Sequence, residues 1–192
     1  VSGVVSSLYT YLIALTIAAL VFHKHWRGVF KQPNSIVWLA LVAGWTNLSY
    51  VLAIIDGEVM RVMLLFYLSP LWTLILAHFW LKERTNWQGV VIIVLSLIGA
   101  FTMFWQVDAL PLPNNNAEWL ALSSGMGFAL TNVITRHSTH LSIPAKSISV
   151  WVGVVVMSLL FMGIQNQTMV NLDLMDASKW LIIVMIEIGR AH

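Results

Sequence analysis

The chain has 192 residues, of which 59% are hydrophobic and only 9% charged, with a formal net charge of +2. Soluble domains carry about 25% charged residues, so this composition cannot cover a water-facing surface and reads as an integral membrane protein. The absence of cysteine excludes disulfides, thiolate metal sites and cysteine nucleophiles.

A membrane-crossing helix needs about 20 mostly apolar residues. Six candidate spans follow in chain order, at residues 2–22, 36–55, 59–81, 87–105, 118–135 and 147–164, and a seventh begins near Ser178. Backbone polar groups in lipid must be satisfied within the segment, and period-two alternation is missing, so the spans are helices. The predicted fold class is an all-α polytopic bundle. The punctuation lies between the spans: a basic loop from His23 to Asn34, the turn Asp56-Gly57-Glu58, the turn Lys82-Glu83-Arg84-Thr85-Asn86 and the Pro111–Asn116 loop. His23 and His25 have no third ligand at metal-binding spacing, so no metal and no cofactor is expected.

Loop charge alternates along the chain. One side receives Lys24, Arg27, Lys31, Lys82, Arg84, Arg136 and Lys146. The other receives Asp56, Glu58, Asp108, Glu118, Asp173 and Asp176, with Arg61 and Lys179 as its cations. Cytoplasmic loops are enriched in Lys and Arg, so the first visible span runs from outside to inside. Trp26, Trp38, Trp80, Trp87, Trp105, Trp119 and Trp180 lie near span ends, as aromatic belts do. Trp45, Trp72 and Trp151 lie deeper. The tail 188–192 reads as non-native sequence with Glu187 at its edge, and the chain reads as a gene fragment that would not transport by itself.

One span carries a proline. In Phe66-Tyr67-Leu68-Ser69-Pro70-Leu71-Trp72, Pro70 has no N–H, so the Phe66 carbonyl loses its helical partner. Neighbouring groups or water must satisfy it. A freed carbonyl near the midplane suits a substrate cavity, and it also suits a packing kink. Asn47, Ser49 and Tyr50 fall mid-span, where polar groups serve as interhelical hydrogen bonds or as substrate contacts. Ser69 and Thr73 share a face at i, i+4, and Trp45 and Trp72 offer stacking surfaces. Arg61 stands two residues into its span, positioned to snorkel outward, to pair with Glu58 or Asp56, or to meet a substrate carboxylate. Asn132 lies deep in the span that also holds Gly125 and Gly127. Glu83 stands between two cations in a cytoplasmic turn and reads as structural, as does Arg84.

Glu83 follows Pro70 by thirteen positions, in Leu81-Lys82-Glu83-Arg84; then come Trp87-Gln88-Gly89 and a helix ending Leu97-Ile98-Gly99-Ala100. This pattern resembles the drug/metabolite transporter superfamily, and within it the EamA-type members with ten helices. Lys82 stands where those proteins usually have Gly. Asn47 and Tyr50 fit the polar third helix of the repeat, and the stretch from Trp119 to Arg136 resembles the helix opening a second repeat. The resemblance implies that residues 1–105 are most of a first repeat, 106–117 an external loop and 118–187 the start of a second. It further implies a cavity between two inverted repeats, with substrate near the midplane, reached from each side in alternation. The substrate-cavity candidates are then Trp45, Asn47, Tyr50, Tyr67, Ser69, Pro70, Trp72, Thr73 and Asn132.

The function read from this is a secondary transporter, an exporter of small metabolites or amino acids, in the cell membrane. No nucleotide-binding Gly-x-x-x-x-Gly-Lys occurs. The partners expected are the lipid bilayer and a small-molecule substrate, with proton coupling and a homodimer left open, and no nucleic acid. The alternative is a non-catalytic membrane scaffold or assembly protein. An intramembrane enzyme would need clustered acidic, His or Ser groups in catalytic geometry; the spans offer isolated hydroxyls and amides, so no catalytic residue is expected.

Overall fold

The structure, a computed structural model, describes residues 3–21, 33–82, 87–105, 113 and 115–164. Among them are seven α-helices and no strand: α1 (Gly3–Val21), α2 (Pro33–Asp56), α3 (Val59–Phe66), α4 (Ser69–Trp80), α5 (Trp87–Trp105), α6 (Asn116–His137) and α7 (Ile143–Ile164). Each span expected within these residues is helical. The expected single helix over 59–81 is instead two helices, α3 and α4. The span beginning at Ser178, the basic loop at 23–32, Glu83, Arg84 and the tail 187–192 lie outside the described residues.

Among the described residues three stretches are long and apolar enough to cross a membrane: Asn34–Asp56, Val59–Trp80 and Ile143–Ile164. The apolar helices Gly3–Ala18 and Gly89–Gly99 are shorter. At 22 residues, α6 is about 33 Å long at 1.5 Å per residue, enough to cross a hydrocarbon core. Its Ser123, Ser124, Thr131, Asn132 and Thr135 lower its hydropathy. The outward-facing Trp38, Trp80, Trp87 and Trp119 are all exposed, as interfacial tryptophans are.

The chain divides into two compact units. The first draws on Val1–Gly44 and Leu141–His192. In it α1 packs along α7, burying Val4, Val5 and Leu8 on one helix and Ala145, Ile148 and Val154 on the other. The first half of α2 approaches α7 closely at glycines. A Cβ on Gly153 would fall on the Ala40 carbonyl; one on Gly44 would meet the Gly153 carbonyl and stand 2.7 Å from Met157 Cγ. With no hydrophobic force between helices in lipid, small residues that let backbones touch supply the association.

The second unit is Trp45–His140. Here α3 and α4 both pack along α6. Its core is Ala53, Val62, Leu64, Leu65 and Ala121, with Tyr50, Ile54, Leu68 and Leu120 against it. Gly57 turns the chain between α2 and α3 where a Cβ would lie 2.7 Å from the Ala53 carbonyl oxygen and 2.8 Å from Ala117 Cβ.

α4 ends at Leu81, whose N–H donates to the Ala77 carbonyl at 3.0 Å, and Lys82 then takes a φ of +53°. This left-handed position after a helix favours glycine, and a side chain there costs about 1–2 kcal/mol. The EamA resemblance expects Gly at this site, and the conformation supplies the reason. Lys82→Gly is expected to stabilise the protein by about 0.5–1 kcal/mol, the gain being reduced by loss of a cation at the helix C-terminus. Thermal denaturation of the purified protein reads this directly, and Lys82→Ala, which keeps a Cβ, should give no gain.

Candidate functional site at the break in a spanning helix

The break between α3 and α4 follows from Pro70. Tyr67 N–H still closes an α-turn onto the Met63 carbonyl at 2.9 Å. Leu68 N–H then shortens its reach to Leu65, at 3.3 Å, and Leu71 N–H bonds to Leu68 at 3.0 Å. Tyr67 and Leu68 have ψ of −4° and −5°, so the chain takes a tight three-residue turn instead of a smooth kink. Pro70 occupies the first turn of α4, where a missing N–H costs little. The step keeps the chain helical on both sides and leaves the Phe66 carbonyl without its helical donor.

That carbonyl is directed at a neighbouring helix. A Cβ at Gly125 on α6 would stand 3.1 Å from Phe66 O, 3.4 Å from Phe66 Cα and 3.5 Å from Leu65 O. Gly125 therefore lets the break sit against the α6 backbone. Two rings join there from other helices. Tyr50 of α2 lies 4.9 Å from Phe66 between ring centroids, and Phe128 of α6 lies 5.5 Å from Phe66, both tilted. Tilted aromatic pairs contribute about 0.5–1.5 kcal/mol beyond their buried area. One turn further along the same face of α6 comes Asn132, which is exposed.

At the other end of α3 is a buried ion pair. Arg61 is 8% exposed and Glu118 of α6 is 3% exposed. Arg61 Nη2 donates to Glu118 Oε2 at 3.0 Å. Arg61 Nε lies 2.8 Å from Oε1, yet that N–H is not aligned for a hydrogen bond; the directed bond is the Nη2 one. Glu118 also forms a reciprocal cap with Asn115. Its backbone N–H donates to Asn115 Oδ1 at 2.8 Å, and Asn115 Nδ2 approaches its Oε1 at 3.3 Å. This is an N-cap in which the Asn115 side chain both accepts from the Glu118 N–H and donates to its carboxylate, and the carboxylate sits at the favourable end of the helix dipole.

The two contacts fix the direction of the helices. Arg61 meets Glu118 early in both, and Phe66 meets Gly125 later in both, so α3 and α6 run parallel. The alternation of loop charge requires the same: both begin on the acidic side. The sequence leaves Arg61 to snorkel outward, to pair with Glu58 or Asp56, or to meet a substrate carboxylate; Glu58 and Asp56 are exposed, and the partner lies 57 residues on. Neither Phe66, Phe128 nor Glu118 stood among the site residues. An acid three residues after an asparagine, at the head of a polar span, was the available signal for Glu118.

The remaining candidates divide. Ser69 is buried on α4, and its carbonyl accepts from Thr73 Oγ1 at 2.9 Å. Trp72 is half-buried, and its indole Nε1 is buried with no acceptor among the described residues. Tyr67, 57% exposed, and Trp45, 43% exposed, point outward, and Pro70 is exposed. Asn47 is half-buried and already engaged. Ser49 is fully buried and donates to the carbonyl of Trp45, in its own helix, at 2.7 Å. It needs neither a second helix nor a ligand to satisfy it.

A bundle of apolar helices, one of them interrupted at a proline and seated by glycine against a polar neighbour, defines a polytopic membrane protein. The EamA-like transporter family matches residues 1–105, more than half of the chain, and the chain belongs to that family. It is 26% identical over 140 residues to an uncharacterized transporter of Pseudomonas aeruginosa, covering 69% of this chain and 44% of that protein. It is 25% identical over 126 residues to the protein RarD of Salmonella typhi and of Salmonella typhimurium, covering 62% of this chain and 40% of each. The chain thus spans less than half the length of these curated relatives. No solved structure matches it.

Proposed function

We propose that the chain works in a secondary membrane transporter of the cell membrane that exports small metabolites or amino acids by alternating access. The observation that carries this reading is the α3–α4 break, a polar interruption inside an apolar span and seated against α6. Broken helices beside a repeat interface are where such carriers hold substrate. Family membership and the transporter name of the Pseudomonas relative support it. On this reading residues 1–105 form most of one repeat and residues from 118 begin a second. Asn47, Tyr50, Tyr67, Ser69, Trp72, Thr73 and Asn132 supply polar and aromatic contacts to substrate, flanked by Trp45 and Pro70.

The test is export from cells producing the protein in its natural reading frame. Cells loaded with a labelled mixture of amino acids and small metabolites are compared with cells producing Asn47→Leu, Tyr67→Phe or Asn132→Leu. Selective loss of efflux of one solute class, at unchanged abundance in the membrane, is the expected result. If efflux matches that of cells lacking the protein, or if all three variants export normally and only complex assembly suffers, the carrier reading fails and a scaffold replaces it.

A further inference from the structure

We propose that Arg61 is a two-position latch at the outer end of α3. It pairs with Glu118 when the seam between α3 and α6 is closed, and with Glu58 when that seam opens. The inference rests on the transport reading only for its consequence, the gating of a substrate path.

Four observations carry it. First, α3 is eight residues long and interrupted at both ends, by the Gly57-Glu58 turn and by Tyr67-Leu68. It is a short segment bounded by two breaks in the helical hydrogen bonding. Secondly, beyond the apolar core that Val62, Leu64 and Leu65 share with Ala121, α6 meets it through two contacts of different chemistry. Phe66 against Gly125 is a backbone contact at the inner end, close to one boundary. Arg61 with Glu118 is a charged contact at the outer end. A rotation about the inner contact separates the outer one.

Thirdly, neither charge is stranded by that separation. Glu118 keeps Asn115 and the N-terminus of α6. Glu58 is the exposed N-cap of α3 and Arg61 its third residue, and side chains at those two positions come within reach of each other, as in a capping box. Breaking a buried pair is costly mainly because it leaves an uncompensated charge; here each partner has a second place to go. Fourthly, a buried ion pair adds little stability over well-packed apolar residues. Its presence here fits selection between two arrangements better than it fits simple adhesion.

The chain has no cysteine, so a single introduced thiol reports the seam. Ala121 is fully buried on α6, in one cluster with Val62, Leu64 and Leu65 of α3 and three residues inward from Glu118, and Ala121→Cys adds a single sulfur atom. Its alkylation by a membrane-impermeant maleimide added outside intact cells measures the open population. In this background Glu118→Gln is expected to label at least about tenfold faster, since it removes the charge that holds the closed state. Glu58→Gln is expected to label about twofold slower, the weaker effect matching an ion pair with an exposed partner.

The opposite signs are the diagnostic feature, because loosening of the fold would speed labelling in both. Labelling unchanged in both variants, or shifted the same way in both, overturns the latch. Should Glu118→Gln not fold, as judged by size-exclusion chromatography, the exposed Glu58→Gln decides alone: slower labelling supports the latch, and equal or faster labelling overturns it. No substrate enters this assay. Labelling that responds as stated in a protein without export would remove the transport reading and leave the latch standing. Normal export with labelling indifferent to both acids would do the reverse.

Discussion

Gly153→Leu is expected to destabilise the unit formed by α1, α7 and the first half of α2 by about 3 kcal/mol, the upper end for overpacking a close contact. Even a methyl group at residue 153 would fall on the Ala40 carbonyl, and a helix backbone cannot turn aside as a flexible side chain does. The helices must part, and the reciprocal contact of Gly44 with the Gly153 carbonyl is lost with them. Gly163 provides the control in the same helix. No described residue lies within 4 Å of a Cβ built there, so Gly163→Ala should leave stability unchanged or raise it by up to about 1 kcal/mol. Thermal denaturation in detergent separates the two. Equal midpoints for both variants would show that α2 and α7 do not touch at Gly153.

Pro70→Ala is expected to act in the opposite sense, sparing stability and removing function. Alanine restores an N–H at position 70, and the Phe66 carbonyl regains a donor one helical turn away. The tight turn at Tyr67-Leu68 then has no cause, and α3 and α4 join into one helix. The added hydrogen bond contributes about 1 kcal/mol. Losing the proline loosens the unfolded chain and offsets about 0.4–1 kcal/mol of that. The net change in stability is therefore small. Geometry changes more: removing the turn rotates the α4 side chains relative to α3, so Trp72 and Thr73 leave their present faces. The Phe66 carbonyl leaves Gly125, and the aromatic contacts of Phe66 with Tyr50 and Phe128 are disturbed with it.

The parts of this account that were legible in the sequence are local. Apolar runs of span length, the alternation of loop charge and a proline inside one run each depend on residues near one another. They placed the helices and the position of the break. The form of the break was less accessible. Loss of one N–H is compatible with a bent helix or with a stop and restart, and the choice depends on what the neighbouring helix admits. Gly125 admits a carbonyl, so the chain stops.

Long-range partners were not legible. Arg61 had two acids within five residues, and proximity in sequence favoured them. The helix it packs on carries Glu118 at the matching height, and burial of both groups favours that pair. Similarly, Gly44, Gly125 and Gly153 look alike in sequence to Gly99 and Gly163, yet only the first three are covered by a neighbouring backbone. Phe66 and Phe128 escaped notice because an aromatic residue in an apolar span is unremarked until rings from three helices meet.

The central claim is that the break at Pro70 belongs to a moving substrate path. The most direct measurement is the initial efflux rate of cells producing Pro70→Ala, compared with wild type and Gly163→Ala at matched membrane abundance. The account predicts at least a tenfold loss for Pro70→Ala, equivalent to about 1.4 kcal/mol or more on the transport barrier, with an unchanged rate for Gly163→Ala. Wild-type efflux from a folded Pro70→Ala protein would contradict it, and would leave the break as packing alone.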